Sequence, residues 1–242
     1  MDLCRKIKTL NGKNLGEMNI LKSYEGVITM EKYLPNGKER EVLTLFYNRF
    51  YDLYEEITND NFWGEDTQQR FFKLREAFSI YKELLSYEPI KSYVEWMKKG
   101  GRPPLEGIIA DGLFSFIRNL LLHFPVFKTW DEVYINKNLA TWSKTGQIDK
   151  FLHKCTQIKI DGRGTLNYRI WEVRKKKMTY FSINFPEKYD EDNIYLKDII
   201  SEEVGMKFCM ALMREILDKQ VENANEPDII IMSQVYLPIK TN

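Results

Sequence analysis

The stretch Leu105 to Pro125, LEGIIADGLFSFIRNLLLHFP, decides how the rest of the chain is read. Set on a helix at roughly 3.6 residues per turn, its letters separate into two arcs. Leu113, Phe114, Phe116, Ile117, Leu120, Leu121 and Phe124 form one continuous apolar arc. Asp111, Ser115, Arg118, Asn119 and His123 form the other, with Ile108 and Leu122 among them. Pro103 and Pro104 suit the first turn of such a helix, where a missing N–H costs nothing. Pro125 ends it, because a proline disfavours helical geometry in the residue before it. His123 therefore falls in the last turn.

A polar arc is the ordinary consequence of amphipathicity, and a solvent-facing one needs no further explanation. This arc is written differently from the other helix faces of the chain. KLREAFSIYKELL, residues 73–85, carries Lys and Glu on its outer side, whereas the Asp111–His123 arc has neither and keeps two large aliphatics. That composition predicts a half-buried face, covered by another element or by a second subunit.

Outward from this helix the pattern is mostly helical. In EREVLTLFYNRFYDLYEEI (39–57), Val42, Leu45, Phe46, Phe50, Leu53 and Ile57 recur at helical spacing, after the turn signal LPNGKE at 34–39. Asp66 and Thr67 can cap a second helix with Phe71, Leu74, Phe78, Tyr81 and Leu85 on one side, and the short connection favours an antiparallel pair. IKSYVEWMKK (90–99) reads as a shorter helix ending at Gly100-Gly101. WDEVYINKNLATW and QIDKFLHKC (130–155) read as a further, interrupted helix.

After Cys155 the character changes. TQIKIDGRGTLNYRIWEVRKKKMTYFSINF (156–185) contains a glycine turn at Asp161–Gly164 and β-prone runs at Tyr168–Val173 and Met178–Phe185. An acidic linker, PEKYDEDN, leads to a long closing helix with Ile199, Val204, Phe208, Leu212 and Ile216 in period. The tail PDIIIMSQVYLPI is either a last strand or a segment packed on the bundle. The expected fold class is mainly α, an antiparallel helical bundle with a small β-hairpin insert. Its parts are an amino-terminal segment (1–38), the bundle (39–155), a basic insert (156–186) and a closing helix with tail (187–242), all in one domain.

Composition narrows the function. The 242 residues are 43% hydrophobic and 14% aromatic, enough for a sizeable core, and 36 basic against 35 acidic residues leave a formal charge of +1. No global field commits the molecule to a polyanion, so such a site has to be a local patch. The amino terminus lacks an apolar leader and no run is long enough to span a bilayer, which predicts a soluble, cytoplasmic protein without a membrane partner. Cys4, Cys155 and Cys209 are too far apart for a disulfide framework or a CxxC ligand pair, and are read as reduced, non-catalytic thiols. With His123 and His153 as the only imidazoles and no paired-ligand spacing, neither a metal nor an organic cofactor is expected. GRGTLN at 162–167 lacks the Lys-Ser/Thr ending and the strand-to-helix setting of a phosphate loop. His153, beside Lys154, reads as a structural or rim residue, and Asp190-Glu191-Asp192 as solvated linker.

One local patch is present. Lys159, Arg163, Arg169, Arg174, Lys175, Lys176 and Lys177 lie close together, with Tyr168, Trp171 and Tyr180 interleaved. Cations neutralise phosphates and aromatic faces stack bases, so this is a candidate RNA-binding ribbon. A solvent-facing strand edge kept soluble by lysine would be written in the same letters.

The segment RNLLLH, residues 118–123, resembles the motif of the HEPN superfamily, in which an Arg followed by a polar residue, often Asn, precedes a His by four to six residues on a helix of an α-helical bundle. The resemblance covers the motif and the helical context of about residues 40–155. It implies a metal-independent endoribonuclease of the kind found among toxins and antiviral effectors, with two copies of the motif facing each other across a homodimer. It also implies RNA as substrate and an antitoxin or regulatory protein as a further partner. Arg118, Asn119 and His123 would be catalytic. The chemistry suits them: histidine titrates near neutrality, a helix C-terminus favours its protonated form, and arginine presents a fork suited to phosphate oxygens. A helical RNA-binding or protein-interaction module without activity is the alternative.

Overall fold

The computed structural model describes residues 37–101, 106–123, 127–136, 165–184, 193–221 and 224–234. Helix α1 (Gly37–Ile57) runs into a 3-10 turn at Asp60–Gly64, and α2 (Thr67–Leu84) follows. Asp66 caps α2 by accepting from the backbone N–H groups of Gln68 and Gln69, which would otherwise be orphaned in the first turn. Pro89 occupies the first turn of α3 (Glu88–Trp96), and α3 passes into a π-helical turn at Met97–Gly101. The motif-bearing helix begins as a single α-turn, Glu106–Ile108, widens into a π-turn, Ile109–Leu113, and is regular only over α4 (Phe114–His123).

The pairing of α1 with α2 and of α2 with α4 follows from their apolar faces. α1 buries an aromatic row, Tyr47, Phe50, Tyr51 and Tyr54, together with Leu53 and Ile57. Val42 and Leu45, expected on that face, are 49% and 69% exposed, because the inward stripe lies on the tyrosine side of the wheel. α2 turns Leu74, Phe78 and Tyr81 inward, and the rings of Phe78 and Tyr81 meet Phe114 of α4 edge-on at centroid distances of 5.6 and 5.5 Å. At Gly107 a Cβ would stand 2.6 Å from the Lys98 amide nitrogen, so only glycine lets the motif helix start against the π-turn that follows α3.

Residues 130–136 do not form the expected α-helix. A 3-10 turn at Trp130–Glu132 leads into β1 (Tyr134–Asn136), which pairs antiparallel with β4 (Asn193–Tyr195). Val133 and Ile135 are buried while Tyr134 is 37% exposed, the two-residue alternation of a strand. The rest of the stretch expected as an interrupted helix, residues 137–155, lies outside the described residues, as do His153, Cys155 and the glycine turn at 161–164.

β2 (Thr165–Glu172) and β3 (Lys177–Asn184) form the expected antiparallel hairpin, but β5 (Ile229–Gln234) adds to the other side of β2, so the sheet is three-stranded in the order β3–β2–β5. The tail is thus a strand over Ile229–Gln234. The hairpin turns at Val173–Lys176, where the Lys176 N–H donates to the Val173 carbonyl at 3.2 Å and Lys176 takes a φ of 48°. A side chain is strained in that region, and Lys176→Gly is expected to raise stability by about 0.5–1 kcal/mol in urea denaturation; an unchanged or lower midpoint would contradict the strain argument.

The closing helix is broken in two. α5 (Leu196–Ile199) ends where Ile200 becomes extended and bridges to Ile183 of β3, and α6 (Glu203–Asp218) restarts after Ser201, whose Oγ accepts from the Gly205 N–H at 3.2 Å. The inner face of the sheet lies on α6: Tyr168 and Phe181 contact Phe208 at 4.6 and 4.9 Å between ring centroids. α6 also meets α1, where the buried Arg214 guanidinium lies over the Tyr54 ring at 4.5 Å. One core cluster runs from Tyr47 to Ile229 through helices and sheet alike. The described part is therefore a mainly helical fold carrying small antiparallel sheets. No helix among the described residues is long and apolar enough to cross a membrane.

Candidate functional site

The motif-bearing helix, from its opening turns through α4, places its residues much as its periodicity predicts. Leu113, Phe114, Phe116, Ile117, Leu120 and Leu121 are buried, while Ile108, Asp111, Ser115, Arg118 and Leu122 are half-buried. Asn119 is 8% exposed, so the polar arc is indeed a partly covered face. Phe124 lies outside the described residues.

Within the arc, Arg118 Nη1 donates to Asn119 Oδ1 at 3.2 Å. This bond fixes the amide orientation and turns its NH2 group away from the guanidinium. Arg118 Nε and Ser115 Oγ are both enclosed without a hydrogen-bond partner among the described residues. Arg118 likewise has no carboxylate partner there, so its charge is held near a buried amide and not cancelled by an acid. Such a cation retains donors for an anion. α4 is regular from Phe114 to its last residue, His123, so Asn119 and His123 stand one turn apart on the same side of the backbone. The His123 side chain lies outside the described residues.

At the other end of the arc Asp111 is held by two lysines from other helices, Lys98 Nζ at 2.6 Å and Lys82 Nζ at 3.3 Å. Burial pushes the Asp111 carboxyl up, but the hydrogen bond and charge of Lys98, with help from Lys82, outweigh it and hold the group below the usual carboxylate range. A depressed carboxylate contributes stability at all pH values above its unfolded pKa and loses that contribution only as the solution becomes strongly acidic, so this clamp is fully formed at neutral pH. Lys82 and Lys98 were not legible as neighbours of the motif: they sit on α2 and in the π-turn after α3, and only the packing of these elements brings them to Asp111.

The basic ribbon is resolved into separate roles. Lys159 and Arg163 lie outside the described residues. Arg174 is paired with Asp228 at 2.8 Å, and Lys175 with Asp60 and Glu172, each at 2.7 Å. Asp60 also receives the buried Lys207 at 2.9 Å, so Lys175 ties the hairpin to the turn after α1. Lys176 and Lys177 are exposed and have no ion pair among the described residues. On β2, Leu166, Tyr168 and Ile170 are buried, which leaves Arg169 and Trp171 on the outer face. Tyr180 stands opposite Arg169 and is 64% exposed.

Cys209 is fully buried, and burial pushes its thiol pKa well up. Among the described residues no group of three or more His, Cys, Asp or Glu side chains could hold a metal ion. A groove of about 630 Å³ lies between the start of α1 and the end of α2, lined by Leu43, Phe46, Leu84 and Tyr87 with Lys38 and Glu88 at its rim. It holds none of the motif residues.

Comparison of the chain with protein-family models, with curated proteins and with solved structures gives no match.

Proposed function

We propose that the protein is a metal-independent endoribonuclease of HEPN type, cytoplasmic and homodimeric, in which Arg118, Asn119 and His123 act on the scissile phosphate. The observation that supports this most directly is the Arg118–Asn119 pair: a cation without an acidic partner among the described residues, bonded to a buried amide one helical turn before His123. Asn119 orders the guanidinium, and the guanidinium carries the charge that accumulates on the phosphate oxygens. His123 supplies the proton transfer, either from the attacking 2′-hydroxyl or to the leaving 5′-oxygen. The 2′-oxygen bonds to phosphorus as the bond to the 5′-oxygen breaks, so the products carry a 2′,3′-cyclic phosphate and a 5′-hydroxyl. Two half-covered arcs facing each other in a dimer would exclude water from this chemistry, and an antitoxin or regulatory protein would act by covering the same arc.

Purified protein incubated with total RNA and a chelator is expected to yield fragments with those two ends. RNA left intact, or cleavage that stops when divalent cations are removed, would remove this reading. A second reading, an RNA-binding helical module without cleavage, is favoured by the exposed Tyr180 ring and the half-buried Trp171 beside it on the sheet's outer face; binding without fragments would establish it.

A further inference from the structure

A sheet packed on one side normally turns a polar face to water. The outer face of β3–β2–β5 is polar at Asn167–Ser182 and Thr165–Asn184 but departs from this rule toward its hairpin turn. Trp171 stands beside Met178 on β3 and Ile230 on β5, and Tyr180 faces Arg169. Tyr180, Ile230 and the bulge residue Met232 are 64%, 39% and 48% exposed, and Val173 at the turn is 36% exposed. Four of the eight exposed large hydrophobics among the described residues therefore belong to this one sheet and its hairpin, which is clustering and not scatter.

The charge around this face has one sign to spare. Arg174 and Lys175 hold Asp228, Asp60 and Glu172, so the acids nearest the turn are already engaged. Lys176 and Lys177 at the tip have no such partner among the described residues. An exposed ring, Tyr180, beside the half-buried Trp171, with unopposed cations at their edge, gives the components of a single-strand nucleic-acid site: a base stacks on any accessible aromatic face, and a lysine takes the phosphate between bases.

We propose that this face is a platform for single-stranded RNA, with bases stacked on Trp171 and Tyr180 and the backbone running past Lys176 and Lys177. The platform deepens the ribonuclease reading by giving it a substrate class, and it is built by elements other than the motif helix. The sheet rests on α6, which touches both α1 and the π-turn at Ile109–Leu113 that opens the motif helix, while α4 packs on α2. In this reading the sheet holds the RNA and the motif helix cuts it. Trp171 and Tyr180 are diagonal neighbours across the β2–β3 pair, close enough for consecutive bases of one strand to use both.

The test is the anisotropy of a labelled uridine-rich oligoribonucleotide, measured with the His123→Ala protein so that the strand stays whole. Trp171→Ala with Tyr180→Ala is expected to weaken binding by about tenfold or more, while Trp171→Phe with Tyr180→Phe stays within about threefold because a ring is kept at each position. Lys176→Gln with Lys177→Gln should reduce the slope of log affinity against log salt by roughly 0.7 per lysine. Circular dichroism on each variant confirms folding. Unchanged affinity in the folded double-alanine protein overturns the proposal. So does conversion of a dimer to a monomer with RNA affinity intact, which would make the face a self-association surface. Binding at these rings without cleavage by the wild type leaves the platform and removes the ribonuclease reading; cleavage that survives loss of both rings with no change in RNA affinity does the opposite.

Discussion

His123→Ala is expected to slow RNA cleavage by about 10²–10⁴-fold, the range that a positioned general acid or base supplies, and Arg118→Ala by about 10²–10³-fold, the cost of removing one preorganised group aimed at developing negative charge. On the proposed mechanism the loss falls in kcat, because both groups would act on the transition state. Arg118→Lys tests the geometry apart from the charge. An ammonium cannot reproduce a planar fork that bonds Asn119 and a phosphate oxygen together, so the lysine variant should recover little of the rate. Stability separates catalysis from folding. Arg118 is half-buried and has no acidic partner among the described residues, so its removal leaves only one amide oxygen unpaired. That costs about 1 kcal/mol. Variants that melt close to the wild type yet cleave as fast as it does would refute a catalytic role for the motif.

Arg214→Met carries the largest expected loss of stability, about 3–5 kcal/mol. Arg214 is 4% exposed and does three things from one position on α6. Its guanidinium covers the Tyr54 ring, its Nε donates to Asp218 Oδ2 at 3.2 Å, and its Nη2 donates to the Asn225 carbonyl at 2.8 Å. Tyr51 donates its hydroxyl to the other oxygen of Asp218. Methionine fills much of the space but leaves the Asp218 carboxylate without its cation, and a partly buried charge that loses its partner is costly whatever the net worth of the pair. Urea denaturation of Arg214→Met beside Arg214→Met/Asp218→Leu distinguishes the causes. Most of the loss should be recovered in the double variant, and a single-variant cost under about 1 kcal/mol would show that the cluster is solvated and not structural.

Both expectations depend on side chains whose type was visible in the chain but whose partners were not. The two arcs of the motif helix could be drawn from spacing alone, because helical side chains three and four apart share a face whatever the helix packs against. The Asp66 cap and the α1–α2 pair were legible for the same local reason. Arg214 was written into a helix read only for its apolar period, and nothing local marks Tyr51, Tyr54 and Asn225 as its neighbours. The stretch from Trp130 to Asn136 was misread because a short alternation of buried and exposed residues fits a strand or a helix end equally well until β4, some sixty residues later, supplies the pairing. The closing helix broke for a similar reason: its apolar period runs through Ile199 and Val204, but Ile200 bridges to β3 and the helix has to restart.

The ribbon of cations shows most clearly where the division falls. Composition and alternation were enough to determine a mainly helical chain with a late β segment, an amphipathic helix bearing Arg118, Asn119 and His123, and a cluster of basic and aromatic residues near 160–180. Only the tertiary structure decided that Arg174 and Lys175 are held by Asp228, Asp60 and Glu172, that Lys98 and Lys82 clamp Asp111, and that β5 joins the hairpin so that the half-buried Trp171 and the exposed Tyr180 and Ile230 share the outer face. The physical reason is range. Backbone periodicity is set by residues within a turn or a strand of each other, whereas the partner of a charge or the neighbour of a ring is set by packing between elements distant in the chain.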